Sequence, residues 1–369
     1  MRSPVIDTIK AISIIMIVNV HLLSGQFFLI GETYHVIAFF FTAGIVLGIN
    51  RKWERISTKD YLKNRSKKLL YPYFCLSLCY ILSRIILDLL RRRTIFDETL
   101  IDTIIKIFTL RGIGTLWFLP VLFFSEGIFF FLRKRQFNDL FIIIGGIIGV
   151  VISYFLNKSG ICGTSWYGNQ SLYGVLVNNP LSILCACVVS VFFIEIGFIT
   201  YRYLSSYFSP QVSIKRREIL IIALICSISF AIDYLFLKGY RGDLHKLDIG
   251  NPLIYILCSI SGLSFVFCLS LLLNLLVKGI RKILSFWGEN SLVIMTTHAE
   301  YFINASVFYL VTFTFEYLSI NLTAKLTSLI SLVIIMLIES GIIYIVNHTK
   351  LQYIYHFPDL VGVRRKTYK

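Results

Sequence analysis

Apolar blocks recur along the whole chain, and each is close in length to a membrane-spanning helix. A helix needs about 20 residues to cross the hydrocarbon core of a bilayer. The blocks cover residues 6–27, 35–50, 69–90, 115–132, 139–156, 179–201, 218–237, 252–277, 290–314 and 325–347. The second block is short and contains Gly44 and Gly48, which suits a tilted or partly re-entrant segment. The pattern predicts an all-α polytopic membrane bundle of about ten transmembrane helices.

Basic residues are distributed unevenly between these blocks, and their distribution predicts the orientation of the chain. Loops rich in Lys and Arg are retained in the cytoplasm. With the N-terminus inside, the cytoplasmic segments hold 25 of the 36 Lys and Arg residues, and the opposite segments hold 10. This balance favours cytoplasmic termini and an even number of crossings, although it places Arg91, Arg92 and Arg93 outside.

The composition also indicates an integral membrane protein. Of 369 residues, 56% are hydrophobic and 15% are charged, and the mean hydropathy is +0.76; soluble proteins are about 45–50% apolar and about 25% charged. A net charge of +16 would suggest nucleic acid as the partner of a soluble protein. Because the charge here mostly follows topology, we expect no nucleic-acid partner. We predict one domain in the lipid bilayer of the cell membrane over residues 1–350, and a short basic cytoplasmic tail over 351–369.

Three ionisable residues share one face of the first predicted helix. Asp7, Lys10 and His21 are separated by 3 and 11 residues, which at 100° per residue places them within about 60° of one another. Ionisable groups inside a membrane are costly, and they usually face a bundle interior or a water-filled cavity. The face therefore indicates a functional site. The alternative is that His21 bonds a neighbouring helix for packing, with Asp7 and Lys10 as an interfacial ion pair.

A basic segment precedes the third block. Arg65, Lys67 and Lys68 come just before Pro72 in the sequence RSKKLLYPYF. We expect Pro72 in the first turn of the helix, where proline loses little hydrogen bonding, with the basic side chains at the cytoplasmic rim. They suit a phosphate-binding site for an anionic cosubstrate, or equally an ordinary contact with anionic lipid.

Further candidates lie at later helix starts and inside later blocks. Trp117 begins the fourth block and suits an interface anchor. Glu126 lies inside that block, where it would line a cavity or neutralise a cation. Asn290 and Ser291 suit a helix N-terminal cap, and His298 follows two turns later, where packing is its simplest role.

The order of four features resembles the membrane acyltransferase-3 family, and more closely its fucose 4-O-acetylase-like sugar acetyltransferases. These features are the Lys10–His21 face, the RSKKLLYPYF segment, the LWFLPVLF helix start and the WGENSLVIMTTH helix start. The resemblance covers roughly residues 4–345. It implies that His21 is catalytic and that Lys10, where the family often has Arg, assists it. Lys supplies a point charge rather than a bidentate fork.

The resemblance also implies where the acyl donor binds. The family's basic motif maps onto Arg65 and Lys68, with Leu69 where many members have a further Arg, and the family tryptophan maps onto Trp117. We therefore expect Arg65, Lys67, Lys68 and Trp117 to contact the donor. The later Asn-Ser-to-His segment maps onto Asn290, Ser291 and His298.

The implied reaction transfers an acetyl group from acetyl-CoA to a sugar hydroxyl of a surface polysaccharide or its lipid-linked precursor, with no metal. His21 would act as general base, which suits an imidazole with a reference pKa of about 6.5, or would carry the acyl group itself. Sequence leaves both routes open. The competing interpretation is a transporter or flippase of a lipid-linked glycan, in which Arg84, Glu126 or Glu195 would matter and His21 would not.

Overall fold

The computed structural model describes most of the chain. The described residues are 3–23, 26–27, 32–90, 98–163, 172–209, 214–236, 240–298, 303–320 and 323–358. Within these ranges every regular element is helical, so the predicted all-α architecture is confirmed.

The described residues form fourteen α-helices. They are α1 (Pro4–Val20), α2 (Ile37–Ile49), α3 (Thr58–Leu90), α4 (Glu98–Phe108), α5 (Phe118–Lys134), α6 (Asp139–Lys158), α7 (Leu172–Leu204), α8 (Arg216–Ala231), α9 (Pro252–Leu276), α10 (Lys278–Glu289), α11 (Ser291–Thr297), α12 (Ile303–Tyr317), α13 (Ala324–His348) and α14 (Gln352–Tyr355). Among the described residues, seven helical segments are long and apolar enough to cross a membrane: those of α3, α5, α6, α7, α8, α9 and α13. The total of ten crossings and the cytoplasmic location of both termini stay predictions.

Several predicted boundaries are wrong. The first helix ends at Val20 rather than at residue 27, and the predicted block 290–314 is two helices, α11 and α12, rather than one. Pro72 was expected in the first turn of its helix. It lies well inside α3 instead, because the basic residues before it are already helical from Thr58. Residues 278–289, which lie between two predicted membrane helices, form the separate helix α10. Residues 91–97, with the three arginines, lie outside the described part.

Contacts between residues divide the chain into two compact units. Unit 1 comprises residues 1–50, 193–243 and 249–343, and unit 2 comprises residues 51–192, 244–248 and 344–369. This division leaves the predicted membrane domain and basic tail as predictions; of the tail, α14 is described and residues 359–369 are not.

Unit 1 is built around α1. Thirteen of its 17 residues are buried, and it packs against α2, α9, α10 and α11. A helix that is apolar on nearly all sides belongs in a core. Gly288 of α10 allows the closest approach, because a Cβ there would lie 1.8 Å from the backbone oxygen of Asp7. Small residues permit such contact between helices inside membranes.

Unit 2 is held by contacts among α3, α5, α6 and α7. The Tyr61 ring of α3 stacks on Phe130 of α5 with centroids 4.2 Å apart. The buried Tyr73 hydroxyl donates to the carbonyl of Ile107 at 2.9 Å. Gly146 of α6 lies against α7, where a Cβ would meet that of Phe192 at 2.4 Å.

Candidate functional site

Two histidines meet in unit 1. His21 lies at the C-terminal end of α1, where the residue is exposed, and His298 follows α11 and is fully buried. Nε2 of His298 lies 3.1 Å from Nδ1 of His21, and the ring centroids are 5.2 Å apart. The structure thus brings together two sequence candidates that are 277 residues apart.

In each histidine, a backbone carbonyl oxygen contacts Nδ1 of the ring. Nδ1 of His21 lies 3.0 Å from the carbonyl oxygen of Ile17, and Nδ1 of His298 lies 2.7 Å from that of Ile294. Each carbonyl belongs to the residue four positions earlier in the same helix. Within the described part of the chain, nothing hydrogen-bonds Nε2 of His21, which leaves this atom available to a reactant.

Asn304, at the start of α12, ties the two histidine backbones together. Its side-chain amide donates to the carbonyl of His21 at 3.2 Å, and its backbone N–H donates to the carbonyl of His298 at 3.2 Å. On the other side, Asn19 accepts from the backbone N–H of Phe27 at 2.9 Å. These bonds end α1 at His21 and fold the following chain back onto it. No sequence pattern marked either asparagine as a candidate.

Charged side chains lie in the loops that follow α1 and α8 in unit 1. Arg241 forms an ion pair with Glu32 at 3.1 Å, and the backbone N–H of Gly242 donates to Thr33 at 3.2 Å. Burial raises the pKa of Glu32, and Arg241 opposes that rise. Asp243 is close enough for its charge to act on His21. His21 therefore lies near the polar loop that contains Asp243.

The other predicted residues of α1 lie nearer its start. Asp7 is buried and Lys10 is half-buried, and both have polar partners. Eleven residues separate Lys10 from His21, which corresponds to about 16 Å along a helix. Lys10 is therefore not a hydrogen-bonding partner of His21 within the helix, and its pairing with Asp7 stays a prediction.

In unit 2, the charge of Arg65, in the basic segment of α3, is paired within the protein. Arg65 forms an ion pair with Glu126 of α5 through two guanidinium nitrogens, and Tyr61 donates to the same carboxylate at 3.1 Å. Glu126 is 3% exposed. Lys67 lies over the ring of Phe357, 4.5 Å from its centroid. Lys68 is exposed one turn after Arg65.

Trp117, also in unit 2, is buried rather than presented at a surface. Its ring stacks on His245, with centroids 4.9 Å apart and planes 9° apart. Burial, reinforced by the charges of Arg111, Lys246 and Lys106, lowers the pKa of His245 to about 3. His245 was assigned no role from sequence, and its loop position gave no signal of this contact.

The predicted cap of α11 is wrong in its detail. Asn290 precedes the helix, but its side chain makes no capping bond and donates instead to the carbonyl of Phe286 at 2.8 Å. Ser291 begins the helix. The structure thus pairs His21 with His298 in unit 1 and Arg65 with Glu126 in unit 2, two pairings that the sequence did not predict. Among the described residues, no cluster of three or more His, Cys, Asp or Glu side chains could hold a metal ion.

Comparison with known proteins assigns the chain to a family. A family model described as an acyltransferase domain, that of acyltransferase 3, matches residues 4–360. No curated protein and no solved structure matches the chain. The family match covers nearly the whole chain and includes every helix that approaches His21. It confirms the resemblance at the level of the family: the chain belongs to the acyltransferase-3 family and is a multi-pass membrane acyltransferase.

Proposed function

We propose that this acyltransferase transfers an acetyl group from acetyl-CoA to a sugar hydroxyl of a cell-surface polysaccharide or its lipid-linked precursor, in the cell membrane. The acetyl donor and the sugar acceptor in this proposal come from the resemblance to the fucose 4-O-acetylase-like branch. The observation that carries the proposal is the open ring of His21, whose Nδ1 side is held while Nε2 is free of hydrogen bonds from the described residues.

In the proposed reaction His21 is the general base. Its Nε2 takes the proton of the sugar hydroxyl while the sugar oxygen bonds to the thioester carbonyl carbon. The carbon–sulfur bond then breaks, and the imidazolium returns the proton to the thiolate to give free CoA. A positioned base of this kind contributes about 10²–10⁴-fold to rate. The acyl-imidazole route uses the same nitrogen as nucleophile.

The acceptor side of the proposal is supported by the polar loops of unit 1. Arg241 pairs with Glu32, and the charge of Asp243, two residues after Arg241, acts on His21. Sugars are recognised largely through such groups, because each hydroxyl both donates and accepts.

The donor side is supported by the basic residues of α3. Lys68 is exposed and Lys67 is half-buried, so we propose that these two ammonium groups contact the phosphates of acetyl-CoA. Arg65, which is paired with Glu126, would shape this surface and contribute less charge to it. We propose that Trp117, whose ring stacks on His245, contacts the donor. We also propose that the ammonium group of Lys10 in α1 interacts with the negative charge of the donor.

Alkali-releasable acetate on surface glycan tests the proposal. Native-host cells lacking the gene carry empty vector, the intact protein, or His21→Ala at equal expression, with His348→Ala as a matched control, because His348 is an exposed histidine in unit 2. We expect acetate with the intact protein and with His348→Ala only. Equal acetate in all four strains would refute acetyl transfer, and full acetate with His21→Ala would refute the role of His21. Loss of glycan export without loss of acetate per glycan would instead support the transport alternative.

A further inference from the structure

The protonation pattern of His298 follows from its neighbours. Nδ1 lies 2.7 Å from the carbonyl oxygen of Ile294, and a carbonyl oxygen only accepts hydrogen bonds. Nδ1 of His298 therefore carries a proton. Its side chain is fully buried, and burying an uncompensated charge is costly. A neutral imidazole has a single N–H, so Nε2 of His298 is an acceptor.

The protonation pattern of His21 follows in turn. Its Nδ1 faces two acceptors, the carbonyl oxygen of Ile17 at 3.0 Å and Nε2 of His298 at 3.1 Å. A proton on Nδ1 satisfies both contacts, whereas a bare Nδ1 would face two lone pairs. The single proton of neutral His21 therefore lies on Nδ1, and Nε2 carries the lone pair. Nε2 is also the nitrogen to which no described residue hydrogen-bonds.

We propose that His298 is a positioning residue that selects the reactive tautomer of His21 and holds its ring with Nε2 toward the acceptor; this rests on the proposed function. General bases are commonly oriented by a third group that hydrogen-bonds the far side of the ring. When Nε2 takes the sugar proton, the Nδ1–H of the resulting imidazolium donates a charge-assisted bond to His298, and such bonds are stronger than neutral ones. No net charge is needed in the ground state.

The choice of histidine for this role agrees with its surroundings. His298 is buried among apolar residues of α11, including Ile294 and Met295. A carboxylate at the same place would require a partner for its charge. Asn304 fixes the spacing of the pair, because it bonds the backbone carbonyl of each histidine.

Two substitutions of similar size test the proposal in membranes of the native host, supplied with radiolabelled acetyl-CoA. His298→Gln keeps an acceptor oxygen near the place of Nε2, and His298→Met fills the space without one. We expect His298→Met to lower kcat about 100-fold with an unchanged KM for acetyl-CoA, consistent with partial loss of a general-base contribution of about 10²–10⁴. We expect His298→Gln to recover at least tenfold of that loss. Equal activity of His298→Met and wild type, or of the two variants, would overturn the proposal.

A second measurement does not depend on the reaction. Nitrogen-15 NMR of histidine-labelled protein in liposomes distinguishes Nδ1–H from Nε2–H imidazole, and the His21→Ala spectrum identifies the His21 signals. We expect His21 as the Nδ1–H form and His298 likewise, at a pH where both are neutral. Nε2–H on His21 would overturn the proposal even if acetyl transfer is established. The tautomers as expected, with no acetate transferred by wild type, would instead count against the proposed function alone.

Discussion

Replacing the ion pair between Arg65 and Glu126 separates its structural role from donor binding. The two residues join α3 to α5 in unit 2, and Tyr61 adds a hydrogen bond to the carboxylate. The variants are Arg65→Met, Glu126→Leu and the double substitution. Breaking a buried pair by removing one partner costs about 3–5 kcal/mol, whereas replacing both partners by apolar residues is often neutral or stabilising.

The exposure of the two side chains sets the order of the single variants. Glu126 is 3% exposed and Arg65 is 23% exposed. Without Glu126, the guanidinium can turn toward water on its long stem, so we expect Glu126→Leu to cost about 1–3 kcal/mol. Without Arg65, the carboxylate stays buried, so we expect Arg65→Met to cost about 3–5 kcal/mol. The double variant should lie within about 1 kcal/mol of wild type.

The assay measures unfolding in detergent for all four members of the double-mutant cycle. The measured quantity is the fraction of protein that remains monodisperse after exposure to a series of temperatures or SDS concentrations. A double variant as unstable as Arg65→Met would refute the compensation argument. So would two single variants as stable as wild type. If the double variant is folded and keeps the wild-type KM for acetyl-CoA, Arg65 has no part in donor binding, and Lys68→Met should then give the larger rise in KM.

Three further predictions concern packing and pH. Gly288→Ala must push α10 away from α1, because the new Cβ would lie 1.8 Å from a backbone oxygen. We expect this to lower the free energy of unfolding by about 1–3 kcal/mol. Gly279 lies on the same helix with open space around it, so Gly279→Ala should not destabilise the protein. Gly146→Ala should similarly destabilise unit 2, while its neighbour Gly145→Ala should be neutral or stabilising by about 0.5–1 kcal/mol. His245 has a folded pKa of about 3 and an unfolded pKa of about 6.5, so the stability due to its neutral form is present above pH 6.5 and falls by about 2 kcal/mol by pH 5.

Thermal unfolding of the same preparations checks these predictions. Equal melting temperatures for Gly288→Ala and Gly279→Ala would contradict the close approach of α1 and α10, and equal values for the Gly146 and Gly145 variants would contradict that of α6 and α7. For the pH prediction, His245→Phe keeps an aromatic ring but does not titrate. Parallel losses of stability by His245→Phe and wild type between pH 7.5 and 5 would show that His245 is not the group responsible.

Hydropathy predicted most of the fold because long apolar helices have a strong signature. Seven of the ten blocks contain helices of spanning length. The first block was predicted too long because residues 22–30 remain largely apolar after the helix ends. The end of α1 is determined by a hydrogen bond from Asn304, which is distant in the sequence, and by one from Phe27 to Asn19. No local sequence pattern indicates these bonds.

The division of the predicted block 290–314 was also invisible. Residues 291–314 contain no Gly or Pro, the usual signals of a helix end. The individual histidines were found from the cost of ionisable groups in a membrane and from the family resemblance. Their contact was not found, because sequence separation says nothing about which helices are neighbours. For the same reason Glu126 was predicted either to line a cavity or to neutralise a cation, but Arg65 was not identified as that cation.

The arrangement of unit 1 has a consequence for biosynthesis. α1 is made first, but most of its neighbours, α9 to α11, begin only at Pro252. At about 5–20 residues per second, His298 is synthesised roughly 14–55 s after His21. During this interval α1, with its buried Asp7, can pack against α2 but not yet against all of the α9–α11 surfaces that cover most of it. Nascent chains that stall before α9 would therefore expose a polar face of α1 in the membrane, and on the proposed mechanism acyl transfer begins only after His298 has been synthesised.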